Sequence, residues 1–315
     1  MRSSSRRQFI SRVGSLLGFA VMQPWWARAQ SPSPAKTRLI LLGTGGGPRP
    51  RKNSFASSQV IIVNNVAHVV DCGNGVAIQL ARAGVPLPTL RHIFVTHQHS
   101  DHNADYGNLL LLAWTSGLKT RVDTWGPPPL ARMTRLFFEM NAYDINTRIA
   151  DEGKVPLAPL VHVHELSQGG TIMQDKDVAV KCVLVDHPPV KPDLAYRFDS
   201  RDRSIVISGD TTPSDALVRL AQGADVLVHE ALYVPAVDRL AARVPNAATL
   251  RRSILSHHTS VDDVGRVAAA AGVRTLVLSH LVPADDPAIT DQMWIDGARS
   301  TFKGQIIVGK DLLEI

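Results

Sequence analysis

Three imidazoles and a carboxylate fall within six residues, His97-Gln98-His99-Ser100-Asp101-His102, directly after the apolar run from Arg91 to Thr96. Neutral imidazole suits zinc and similar ions, and carboxylate is the usual oxygen ligand beside it, so these residue types can hold a transition metal. A chain leaving a short buried strand can aim His97 and His99 at one ion and turn Asp101 and His102 toward a second. A two-metal site needs further protein ligands, and these belong at other strand ends. Three apolar runs each stop at one ligand-type residue: the run ending at Asp186 meets His187, the run from Ile205 to Gly209 meets Asp210, and the run from Leu276 to Ser279 meets His280. One such case would be an ordinary turn. Three of them beside the six-residue cluster point to one shared site.

The elements that must position these residues can be read from apolar periodicity. Strands are expected over residues 38–42, 59–63, 67–70, 161–164, 178–185, 204–208, 275–279 and 305–308. Helical spacing runs over 76–83, 106–115, 129–149 and 262–271. Strands precede helices twice over, which predicts two sheets packed face to face with helices outside, a four-layer α/β architecture. Gly43-Thr-Gly-Gly-Gly47 reads as a tight turn, because Pro48 follows and no helical pattern starts there. His68, His92, His162, His164 and His229 are expected to be structural. Trp114, Trp125, Phe137, Phe138 and Tyr143, between His102 and His187, are placed as an aromatic lid over a small organic ester, with core packing as the other assignment.

The chain has 315 residues, 44% of them hydrophobic, enough for a substantial core. Its net charge of +6 would suggest a polyanionic partner, but Arg2, Arg6, Arg7, Arg12 and Arg28 lie in the first 29 residues with no acid among them. The remainder is close to neutral, so nucleic acid is disfavoured as a partner. Ser5-Arg6-Arg7-Gln8-Phe9-Ile10, the apolar stretch from Val13 to Met22 and Ala27-Arg28-Ala29 form the pattern of a twin-arginine signal peptide over residues 1–29. The expected partner is then the twin-arginine export machinery, the expected location the periplasm, and residues 30–37 a linker. An apolar stretch of about ten residues is too short to span a bilayer of roughly 30 Å, so no stable membrane anchor is expected. Cys72 and Cys182 each lie in or beside an apolar run and are expected to be buried and unpaired.

The order of these motifs resembles the metallo-β-lactamase superfamily, and within it the ribonuclease Z and arylsulfatase-like branch. The resemblance rests on Leu41-Leu-Gly-Thr-Gly45, Asp71-Cys-Gly-Asn-Gly75, Thr96-His-Gln-His-Ser-Asp-His102, Asp186-His-Pro-Pro, Ser208-Gly-Asp-Thr211, Leu227-Val-His-Glu-Ala231, Ser256-His-His-Thr-Ser260 and Leu278-Ser-His280. It implies the αββα sandwich over residues 38–315. It also implies two Zn2+ ions, with Mn2+ or Fe left open. His97, His99 and His187 would hold one, and Asp101, His102 and His280 the other, with Asp210 and a water or hydroxide bridging. Superfamily members that hold di-iron for oxygen reduction typically have a carboxylate where His99 stands, so hydrolysis leads.

By the same resemblance His257 corresponds to the proton donor, Glu230 to the carboxylate that orients it, and Asp101 to a proton acceptor, with His258 competing for the donor's role. Ribonuclease Z proper carries a long arm between the positions matching His187 and Asp210, which in this chain are only 23 residues apart. The expected activity is therefore cleavage of a small phosphodiester or aryl sulfate ester. A lactonase or thioester hydrolase is the alternative. A tRNA 3′ endonuclease or a non-catalytic metal-binding protein ranks below these, and a homodimer is left open.

Overall fold

The computed structural model describes residues 37–242 and 245–315, and the expected signal peptide and most of the linker lie outside them. The described residues belong to one compact unit, Lys36–Ile315. Its two sheets follow the same plan. In the first, strands run in the order β1 (Arg38–Gly43), β2 (Ser58–Val63), β3 (Val66–Val70), β4 (Leu90–Phe94), β5 (Val122–Gly126) and β6 (Val161–Glu165). The first two pairings are antiparallel and the rest parallel. In the second, β7 (Gly170–Gln174), β8 (Val178–His187), β9 (Val190–Ser200) and β10 (Ser204–Ile207) pair antiparallel. They continue in parallel through β11 (Val226–Leu232), β12 (Thr275–Val282) and β13 (Gln305–Val308).

Period-two alternation divides each strand between two apolar layers. Leu39, Leu41, Ile61, Phe94, Ile205, Ile207, Val226, Val228 and Val277 pack between the sheets. Ile40, Leu42, Val60 and Val69 face the opposite way, against α1 (Val76–Arg82) and α3 (Tyr106–Thr115). Val206, Leu227, Leu276 and Leu278 do the same on the second sheet, against α6 (Asp215–Leu220), α9 (Val261–Ala271) and α10 (Asp291–Arg299). The four-layer αββα expectation therefore holds.

Two local differences matter. The helical stretch over 129–149 is two helices, α4 (Leu130–Met140) and α5 (Ala142–Glu152), separated at Asn141, whose side-chain amide bonds back to the Phe137 carbonyl at 2.8 Å. A helical hairpin that weak periodicity hid, α7 (Val237–Ala241) and α8 (Ala247–His257), packs Ile254 and Val237 on Leu232 and Val282, at the ends of β11 and β12. Both cysteines are buried and free.

Candidate active site

Every strand that delivers a site residue ends at the same edge of the sandwich. The short helix α2 (Ser100–Asn103) follows β4 and turns Asp101 and His102 back toward the sheet. β8 ends on His187, and Asp210 follows β10. His280 lies inside β12, where Ser279 pairs with Glu230 and Leu281 with Ala231, leaving His280 as an extra residue with φ 42°. Such a bulge re-aims one side chain without ending the strand.

The donors converge. His97 Nε2 and His187 Nε2 lie 3.0 and 3.2 Å from His99 Nδ1, and each is 3.9 Å from Asp210 Oδ2. His280 Nε2 is 3.2 Å from both Asp101 Oδ2 and Asp210 Oδ2, and His102 Nε2 is 3.4 Å from Asp210 Oδ1. Tetrahedral zinc with ligands at roughly 2.0–2.1 Å separates its ligand atoms by about 3.3–3.4 Å, so these spacings fit. His102 Nε2 and Asp210 Oδ1 are buried without a hydrogen-bond partner, although burial of unpaired polar atoms is costly. A cation between them would satisfy both. All seven sequence-predicted ligands are thus brought together, in the groups His97, His99, His187, Asp210 and Asp101, His102, His280.

The electrostatics agree. Burial, reinforced by neighbouring histidines, holds His97 well below its ordinary pKa, and burial also lowers His99 and His187. Their lone pairs are therefore free to ligate. Around His102 the field has the opposite sign: against the opposing effect of burial, Asp210, Asp71 and Asp101 raise its pKa well above the usual value. That corner favours positive charge.

Supporting groups fix the rings. Asp71 accepts from the Thr96 amide at 2.8 Å and lies 2.7 Å from His102 Nδ1, which leaves Nε2 for the site. His187 Nδ1 donates to the His257 carbonyl at 2.8 Å, with the same consequence for its Nε2. The fully buried Asp193, whose carboxyl burial pushes well above the usual range, stands 3.3 Å from His97 Nδ1. Asp71 closes the run 67–70 as a single ligand-type residue, so the rule that found His187, Asp210 and His280 also marks it. Asp193 lies mid-strand in β9 and carries no such signal.

One expected pairing is corrected. Glu230 is bonded to His258, with Oε2 2.8 Å from Nδ1, and not to His257, whose Nδ1 is 3.1 Å from Ser253 Oγ at the end of α8. The cause is local pinning of the chain. The Thr259 hydroxyl donates to the Thr211 carbonyl, Leu232 N donates to the Thr259 carbonyl, and Ser260 caps α9. His258 is thereby held extended beside Asp210, its Nδ1 3.9 Å from Oδ2, and its ring lies over His280. Glu230 Oε1 accepts from the Thr211 amide at 2.7 Å, so one carboxylate ties the Asp210 turn to His258. Although burial opposes it, Glu230, then Asp210 and Asp101, push His258 up to about 9, whereas burial and then His258 lower His257.

The site opens into a cleft of about 710 Å³. Its walls are the segment from Gly46 to Asn53, which carries Arg49, Arg51 and Lys52, and an apolar side made of Leu240, Leu250, Ile254, Val282 and Pro283. None of the five expected lid aromatics lines it. Trp114 is core, its Nε1 donating to the Val155 carbonyl, and Trp125 stacks on Phe94 between the sheets. Phe137 packs on Gly107, Phe138 joins the core, and Tyr143 is exposed. β5 and β6 lie at the far edge of the first sheet from β1. The structural histidines stay outside: His68 stacks on His92, and His164 bonds Asp123 at 2.7 Å.

Residues 37–255 match the family profile described as "Anti-Pycsar protein Apyc1". A ribonuclease Z from Mycobacterium bovis is 35% identical over 277 residues, covering 87% of this chain and 96% of its own. The chain belongs to the Apyc1 family, within the metallo-β-lactamase superfamily. Among solved structures, the metallo-β-lactamase-fold protein YhfI from Bacillus subtilis superposes with TM-score 0.65 at 20% identity, over 89% of this chain and 98% of its own. The short form of human tRNase Z superposes with TM-score 0.64 at 21% identity, over 88% and 98%. The protein is a metal-dependent hydrolase of this superfamily.

Proposed function

We propose that this metallo-β-lactamase-fold hydrolase is an exported, dinuclear zinc enzyme that cleaves a small phosphodiester or aryl sulfate ester. The observation that carries this is the Glu230–His258 pair set beside Asp210, because an acid in that position serves esters with poor leaving groups. When bound, two divalent cations would supply Lewis acidity and a hydroxide nucleophile near neutral pH. His97, His99 and His187 would hold one, Asp101, His102 and His280 the other, and Asp210 both. With Nδ1 committed to Glu230, His258 has Nε2 left to protonate the departing alkoxide. Asp101 would be the group that accepts a proton from the attacking water, and His102 and then His280 hold it, against the effect of burial, in the charged form that this requires. Arg49 and Lys52 at the rim attract an anionic ester, and the α7–α8 side receives its organic group.

Identity with ribonuclease Z favours tRNA 3′ processing as a second reading. Against it, the segment from His187 to Asp210 consists of β9 and β10 with their turns, which leaves no room for a gripping arm. The test is a comparison of kcat/KM for the zinc-loaded protein on a phosphodiester, an aryl sulfate, a lactone, a thioester and a precursor tRNA. Preference for either of the first two supports the proposal, and preference for any other substrate overturns it. Export through the twin-arginine machinery to the periplasm is tested by fusing residues 1–36 to a reporter, where changing Arg6 and Arg7 to Lys should abolish translocation.

A further inference from the structure

We propose that Arg51 is a positioning residue for the Asp101 side of the metal centre, acting through the single peptide unit that joins Gly46 to Gly47. Three consecutive carbonyls turn toward one guanidinium. Arg51 Nη2 donates to the Gly45 carbonyl at 2.8 Å, and Nη1 donates to the Gly46 and Gly47 carbonyls at 3.0 and 2.6 Å. Nε donates to Ser54 Oγ at 3.2 Å. The planar fork of a guanidinium can hold several acceptors in fixed relation, which the point charge of an ammonium cannot do.

What this clasp holds is the chain segment lying against the second group of ligands. Gly46 N donates to the Leu281 carbonyl at 3.1 Å, and Leu281 N to the Thr44 carbonyl at 2.8 Å, so the turn is stitched to β12 beside His280. A Cβ on Gly46 would come within 2.8 Å of the His280 ring, so the bare backbone packs directly on that ligand. Gly47, with φ 88°, donates its amide to Asp101 Oδ2 at 2.8 Å. The Gly46 carbonyl and the Gly47 amide belong to the same peptide plane. A cation donating to the carbonyl polarises that plane and strengthens the bond its N–H makes to the carboxylate, the cooperative effect of hydrogen bonds in series. The oxygen so fixed is the one 3.2 Å from His280 Nε2 and 3.7 Å from His102 Nε2. Arg51 thereby sets which way Asp101 faces without touching a ligand atom.

This role rests on the dinuclear centre proposed above, and its test separates the two. Chelator competition is run on the metal-loaded wild type and on Arg51→Gln, Arg51→Lys and Arg51→Ala, each checked for native circular dichroism. Wild type should show two classes of bound zinc. The variants should lose affinity about tenfold or more in one class while the other is unchanged, and added guanidinium should restore that class in Arg51→Ala only. One class in wild type would defeat the dinuclear centre and, with it, the positioning role of Arg51. Two classes that are unaltered in all three variants, or weakened equally, would overturn the proposal for Arg51 alone. If Arg51→Ala does not fold, the two longer substitutions carry the comparison.

Discussion

Replacing His258 by Ala distinguishes the two neighbouring histidines most sharply. His258 Nδ1 is 2.8 Å from Glu230 Oε2 and 3.9 Å from Asp210 Oδ2, whereas the His257 ring, which also lines the cleft, lies 3.1 Å from Ser253 Oγ. A positioned general acid contributes about 10²–10⁴ in rate, or ~2.7–5.4 kcal/mol of transition-state stabilisation. That loss should appear in full on a phosphodiester whose leaving group is a simple alkyl alcohol, since an unprotonated alkoxide departs poorly. It should shrink by at least tenfold when the leaving group is p-nitrophenol, which departs as a stable anion. His257→Ala should stay within about threefold of wild type on both, because its ring is bonded to Ser253 with no acidic partner among the described residues, and Ala keeps the carbonyl that receives His187 Nδ1. The assay is steady-state kcat on the two substrates, with bound zinc measured in each variant to show that the ligands are intact. Equal losses at 257 and 258, or a His258→Ala loss independent of the leaving group, would refute the assignment of His258 as proton donor.

Other consequences can be checked independently. Glu230 and Asp210 raise His258 to about 9 against burial, so its protonated form prevails at lower pH and is lost as pH rises through that value. Glu230→Gln should therefore move the alkaline limb of the kcat profile to lower pH, and an unmoved limb would contradict the pairing. Elemental analysis of protein purified without chelator should give two metals per chain, falling to about one in His280→Ala. One in the wild type would remove the second site. Burial lowers His68 to about 3, and it lowers His92, stacked on it at 4.7 Å, to about 4. Neutral folded histidines favour the native state above pH 6.5, and that contribution is lost as pH falls toward these values. His68→Phe should then flatten the acid decline of stability by up to about 1.4 kcal/mol per pH unit, and an unchanged slope in denaturant titrations would show that His68 takes up its proton in the folded protein as well.

How much was legible follows from how local each signal is. Alternating apolar residues gave the strands, and single ligand-type residues at their ends gave His187, Asp210 and His280, because period two and strand termination are properties of a few adjacent residues. The same rule applied to Asp71 would have found the partner of His102. α8 escaped because its apolar positions are few, with Ile254 the one buried side chain. The five aromatics misled because an aromatic residue signals burial equally well for a core and for a pocket.

The sequence by itself determined the fold class and singled out seven metal-type residues that the fold brings together, since each is encoded where a short segment begins or ends. Only the tertiary structure decided which histidine Glu230 holds and which segments wall the cleft. Those contacts join residues far apart in the chain, Glu230 to His258 across 28 positions and His280 to Asp101 across 179. They depend on sheet register, on the bulge at His280 and on the bonds that pin Thr259, and no run of neighbouring residues records any of these.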